Sequence, residues 1–240
     1  EIDKAVVLSV DFGDINTNDF VLRLALNHPS LIPSICVNPK RSEAIKELET
    51  YLKRLSEEFP DYNPVVKFIP NRFPISPAEV DTDYYKVIRD FGGVIITHTG
   101  AHHTFNAQNN DLTNPVFWKK VLKDVKGLPI VGSHCGTPSQ QYPHYEEEAI
   151  HMAETYEDFY IDFSGLQSIL PSGNYYELSR NAFDLAIDSI QRGTGLETKI
   201  LGGSDYFICP DINRCRYEQI ALLNRLFDPY ENTEKLIVRD

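Results

Sequence analysis

Short apolar runs alternate with amphipathic stretches along the whole chain. Runs rich in Val, Ile, Leu and Phe predict strands over 5–10, 31–37, 65–69, 93–98, 128–134, 159–163 and 199–203. The stretches between them predict helices over 18–27, 42–58, 83–89, 114–124, 145–155 and 175–192, with a last one over 217–227. The clearest is 42–58, where Ile45, Leu48, Leu52 and Leu55 recur at helical spacing with charges between them, behind a start at Ser42 three residues before Ile45. The cluster Asn16-Thr17-Asn18 predicts the cap of the helix at 18. Strands alternating with helices predict a parallel α/β fold wound in one sense. A barrel of eight strands needs one more than the seven found here. An open doubly wound sheet also fits, but its G-x-G-x-x-G mark is missing after the first strand, where Asp11-Phe12-Gly13-Asp14 stands.

Three of these strands end in the same way. Gly93 to Gly100 carries His98, Leu128 to Gly136 carries His134, and Lys199 to Tyr206 carries Asp205, each at the point where the apolar run gives way to glycine-flanked loop. Such runs read as strands buried on both faces. Parallel α/β enzymes place their chemistry at the carboxyl ends of the strands, so His98, His134 and Asp205 form a candidate metal site.

Composition narrows the partners. A formal net charge of −12 with no basic patch excludes nucleic acid and anionic membrane surfaces and leaves a small-molecule substrate. Lys119, Lys120 and Lys123 fit the solvated face of a helix. The 13 Tyr and 13 Phe residues fit core and pocket wall better than a base-stacking surface. With 42% hydrophobic residues and no linker-like shift in composition, residues 1–240 read as a single domain. Cys36, Cys135, Cys209 and Cys215 lack paired spacing, which predicts free thiols and a reducing, cytoplasmic compartment. No run reaches membrane-spanning length and no signal peptide is visible.

Taken together, Ile2 to Val7, His28-Pro29 leading to Val37-Asn38-Pro39, Val66-Lys67-Phe68, Thr97-His98-Thr99-Gly100, Ser133-His134-Cys135-Gly136, Tyr160 to Gly165 and Gly203-Ser204-Asp205-Tyr206 carry a family resemblance. In their order and spacing the sequence resembles the amidohydrolase superfamily, in the branch of amidohydrolase-related metal-dependent hydrolases that also holds aminocarboxymuconate-semialdehyde-type decarboxylases. The resemblance implies a distorted (β/α)8 TIM barrel whose first strand is missing from this chain, so that the strand at 5–10 aligns with the family's second. It implies a His-x-His pair of ligands on that first strand, and the sequence has none near its start. It also implies continuation beyond Leu236 to Asp240 into a final helix, and a homodimer as the common assembly, although charge pattern singles out no interface helix.

By the same resemblance His98 is a metal ligand, and Asp205 is a ligand or the acceptor of the attacking water's proton. His134 is a base that orients that water or, in two-metal members, a ligand. Imidazole and carboxylate ligands suit zinc, and manganese tolerates the same set. The implied reaction is hydrolysis of an amide, ester or lactone by metal-activated water; decarboxylation of a small carboxylic acid, or a degenerate barrel without catalysis, is the alternative. Taken singly, a strand-end histidine is more often a hydrogen-bonded structural residue, and only the set of three raises it to a site. Around that set, Lys67 reaches the site mouth or is paired within the barrel, Arg72 with Asn71 is placed to hold an anionic group, and Ser164 points toward the site more readily than Asp162. His102 and His103 read as loop residues, with His103 the candidate substrate contact. His144 and His151, with Glu146, Glu147 and Glu148, read as a solvated helix face, and His28 reads as a helix-end cation.

Overall fold

The computed structural model describes residues 3–11, 16–101, 107–137, 141–164 and 174–202, with the main chain alone over 174–180. Seven strands form one sheet: β1 (Ala5–Val7), β2 (Leu31–Ile35), β3 (Val65–Phe68), β4 (Val94–Gly100), β5 (Ile130–Thr137), β6 (Phe159–Asp162) and β7 (Ile200–Leu201). They lie side by side in chain order and every neighbouring pair is parallel. The helices are α1 (Asn18–Asn27), α2 (Ala44–Glu58), α3 (Thr82–Asp90), α4 (Trp118–Asp124), α5 (Tyr145–Thr155) and α6 (Asn174–Gln191). All seven predicted strands and the first six predicted helices are present; the helix over 217–227 lies outside the described residues.

Strictly sequential strand order decides between the two architectures. A doubly wound sheet reverses its order at a switch point and carries helices on both faces. Here every helix packs on one side, as crossovers that all turn in one direction require, and as in a barrel wall. All six helices accordingly feed a single apolar core with one row of strand residues. Leu22, Leu48, Leu52, Ile88, Val121, Met152 and Ala186 meet Ile35, Val66, Phe68, Ile95, Ile130, Phe159 and Ile161. The sheet is thus a partial, TIM-like barrel; among the described residues β1 and β7 are its two edges, and a complete (β/α)8 closure is not seen.

Side chains alternate across a strand, and the register lines up the other face. Lys67 pairs with Ile96, Ile96 with Val131 and Val131 with Tyr160, so this row lies opposite the helices. One pleat further toward the carboxyl end the same face carries His98, paired with Ser133. The strands are therefore apolar on the helix side and mixed on the concave side, where polar groups collect at the carboxyl ends.

Helix α1 begins at Asn18 as the sequence predicts, and Asn16, of the predicted capping cluster, accepts the Asn18 N–H on its Oδ1 at 2.8 Å. Asn18 itself is buried and bonds the main chain of Cys36 in both directions, at 2.8 and 3.0 Å, which ties α1 to the end of β2. Helix α2 begins at Ala44 rather than Ser42, behind Glu43, which makes no side-chain cap bond.

Candidate functional site

Strands β4 and β5 run in register to His98 and Ser133 and resume at Gly100 and Thr137, so β5 spends four residues where β4 spends two. The surplus is taken up in left-handed backbone: φ is +68° at His134, +44° at Cys135 and +66° at Gly136. A side chain in that region costs roughly 1–2 kcal/mol. The bulge has a consequence that alternation alone does not predict. With regular pleating His134 would share the face of Gly132 and look toward the helices; the left-handed step turns it back, and its ring lies 4.9 Å from that of His98, inclined at 60°.

The crest is held from both neighbouring strands. On the β4 side the buried Thr99 hydroxyl donates to the Ser133 carbonyl at 2.6 Å and accepts the Gly136 N–H at 3.1 Å. On the β6 side Asp162 Oδ1 accepts the His134 N–H at 3.0 Å and the Ser164 N–H at 2.9 Å. Behind it α5 leaves no room, since a Cβ on Gly136 would stand 2.1 Å from the Tyr145 carbonyl oxygen. The His134 ring is fixed as well, with Nδ1 lying 2.8 Å from the Ser164 carbonyl.

His98 is buried at 7% exposure, and His134 is partly exposed. Their donor chemistry fits two positions of a divalent-cation site, because neutral imidazole binds through the nitrogen that carries no proton. Among the described residues no group of three or more His, Cys, Asp or Glu side chains gathers to complete one. Asp205 lies outside the described residues, as do His102, His103, Cys209 and Cys215.

Of the other predicted residues, Ser164 is brought against His134 by both its carbonyl and its hydroxyl, and the hydroxyl donates to Asp162. Lys67 is buried at 6% exposure on the concave face. It sits near Cys36, whose thiol burial pushes up to about 12, with the Asp11 charge adding to the rise. Arg72 is half-buried in the turn after β3, its N–H on the Ile69 carbonyl. Asn71 is buried beside Asn110. His144 and His151 are exposed beside Glu147 and Glu154, as the charged-face reading has them. A groove lined by Arg41, Lys46, Glu49, Asp81 and Tyr84 contains neither site histidine.

Glu146 corrects that same reading. It is fully buried, with Oε2 accepting from Asn181 at 3.0 Å and Oε1 lacking a hydrogen-bond partner among the described residues. Burial drives its carboxyl up to about 8, with the Glu147 charge adding to the rise and the Asn181 bond opposing it. A signal for this was present: Glu146, Ala149, Ile150 and Ala153 fall at helical spacing on one stripe, and that stripe is buried. Thr99 had no such signal, because its partners are 34 and 37 residues away, and the Asp162 bond to the His134 N–H spans 28 residues. Cys135, between these groups, is a buried free thiol raised well above its ordinary range by burial, then by the charges of Glu146 and Asp162. That environment suppresses the thiolate and with it nucleophilic chemistry.

The amidohydrolase family model matches residues 16–239. The chain belongs to the amidohydrolase family. Solved structures agree on the fold of this amidohydrolase. One is a Pseudomonas putida protein provisionally described as a 2-pyrone-4,6-dicarboxylic acid hydrolase, at 14% identity and a TM-score of 0.58 over 88% of this chain and 72% of that one. Another is an Agrobacterium tumefaciens protein in its apo form, at 10% identity and a TM-score of 0.58 over 92% of this chain and 73% of that one. No curated protein gives a significant match. Among the described residues no helix is long and apolar enough to cross a membrane.

Proposed function

We propose that this amidohydrolase is a metal-dependent hydrolase that opens an ester, lactone or amide bond in a small molecule. The observation that carries the reading is the adjacency of His98 and His134 at the carboxyl ends of neighbouring parallel strands, with His134 Nδ1 engaged by a main-chain carbonyl. His98, His134 and Asp205 would hold the cation, zinc or manganese. A divalent ion there supplies a water whose pKa falls from near 16 to about 7.

The chain's own groups then divide the work. His134, its Nδ1 proton committed to Ser164, presents Nε2 to a cation or to a water proton. Asp205 serves as ligand or as proton acceptor. Lys67 and Arg72 hold an anionic substituent of the substrate, and His103 approaches the substrate from its loop. A 2-pyrone is a cyclic ester, and the description of the Pseudomonas putida neighbour is the reason to place lactones first in a substrate panel.

The test is elemental analysis of the purified chain beside His98→Ala, followed by lactones, esters and amides with released acid as readout. Near-stoichiometric zinc or manganese, lost in the variant together with hydrolysis, is the expected result. A chain that holds neither metal after supplementation and hydrolyses none of the panel overturns the reading.

A further inference from the structure

His134 Nδ1 faces two oxygens of one residue. The Ser164 carbonyl lies at 2.8 Å and the Ser164 hydroxyl at 3.1 Å. A carbonyl only accepts, whereas a hydroxyl either donates or accepts. Were the hydroxyl proton available, Nδ1 would be able to accept it and the ring proton would move to Nε2. Asp162 takes that proton: the Ser164 hydroxyl donates to Asp162 Oδ1 in a very short contact. The same oxygen also accepts the N–H groups of His134 and Ser164, so all three groups that meet it are donors. With the hydroxyl committed, both oxygens at Nδ1 are acceptors, and neutral His134 is confined to the form protonated on Nδ1.

We infer that Asp162 is the positioning residue that sets the His134 tautomer, by drawing away the one proton that competes for Nδ1. The inference rests on the proposed role of His134 as base or ligand, since either role needs a lone pair on Nε2. Asp162 is buried on β6 and acts on the site through Ser164 and through the His134 main chain. One carboxylate thereby holds both the backbone of the crest and the proton inventory of its ring.

Long-range proton–nitrogen correlation spectra of the labelled full chain in chelator report the tautomer directly. The wild type is expected to show Nδ1–H alone, and Ser164→Ala the same, because the carbonyl remains. Asp162→Ala frees the hydroxyl and loses the pure Nδ1–H pattern to a mixture with Nε2–H. The double variant, lacking the hydroxyl as well, returns to Nδ1–H. Should Asp162→Ala not fold by circular dichroism, Asp162→Asn decides: it keeps a neutral acceptor for the two N–H groups but grips the hydroxyl less strongly, and a mixture is again expected. Pure Nδ1–H in whichever Asp162 variant folds, or Nε2–H in the wild type, overturns the inference, as does a double variant that stays mixed. Failure here is separable from failure of the hydrolase reading. A metal-loaded, hydrolytic wild type with Nε2–H sinks only this inference, and a metal-free, inactive one with Nδ1–H sinks only the other.

Discussion

Replacing Glu146 by Gln should make the chain more stable, by an amount that grows with pH. In the folded chain the carboxyl titrates at about 8 against an ordinary 4.5, because burial penalises its charge. Below about pH 4.5 the folded and unfolded chains both hold the proton and the group is neutral to stability. Above that the unfolded carboxyl ionises while the folded one does not, so the folded state binds more protons and stability falls until the folded carboxyl ionises as well. At about 1.36 kcal/mol per pH unit, the loss is about 1 kcal/mol at pH near 5, about 3 at pH near 7 and about 5 at pH near 9. Gln is neutral throughout and keeps an oxygen for Asn181, so it lacks this loss. The gap between variant and wild type should widen by about 4 kcal/mol from pH near 5 to pH near 9 and then level off.

Trp118, the one tryptophan of the chain and almost fully buried, provides the assay as denaturant unfolding followed by its fluorescence across that pH range. Any fixed cost of placing an amide where Oε1 lies shifts the whole difference curve and leaves its slope intact. Other titrating groups are common to both chains and cancel. A gap that stays constant within about 1 kcal/mol over the range would refute the reasoning, because it would mean that Glu146 is charged in the fold or reached by water.

Two further outcomes test the crest itself. Thr99→Val keeps the shape but strands the Ser133 carbonyl and the Gly136 N–H without their hydroxyl, and should cost about 2–3 kcal/mol in urea unfolding. Gly136→Ala drives a methyl into the Tyr145 carbonyl and should cost more than about 4 kcal/mol, enough to deplete folded protein in expression trials. Gly127→Ala, equally left-handed but with nothing within 4 Å, should cost only about 1–2 kcal/mol.

What the sequence made legible follows from how far apart the interacting residues are. The strands at Val65–Phe68 and Phe159–Asp162 and the helices α1 and α5 are announced by local periodicity, and their bounds lie close to or on those expected. Placing His98 and His134 at strand ends needed no more than the apolar run before each. The turning of His134 toward His98 was not legible. Alternation counts residues along one strand, and the bulge is set by a hydroxyl on β4 and a carboxylate on β6. Ser164 was legible as a residue near the site but not in its role, since its carbonyl as well as its hydroxyl meets the imidazole. Glu146 was misread for a different reason. Three consecutive glutamates resemble a solvated face, and the charge pattern masked the apolar stripe that runs through the first of them.

Several groups that cost the fold stability lie around one point. Three successive residues in left-handed backbone, the last a glycine pressed against a helix, and a buried carboxyl with an oxygen unpartnered among the described residues all adjoin the end of β5. Its neighbours β4 and β6 end without positive φ at non-glycine residues. A strand that served only the sheet would gain stability by ending in the same way, with no non-glycine residue held at positive φ. The costs are tolerated in this arrangement because Thr99, Asp162 and α5 enforce it together, and what they enforce is the direction of a single imidazole. Strain concentrated around one side chain, and held from three elements at once, points to a site whose geometry matters more than its stability. That argument needs neither the family nor the metal, and it selects the same histidine.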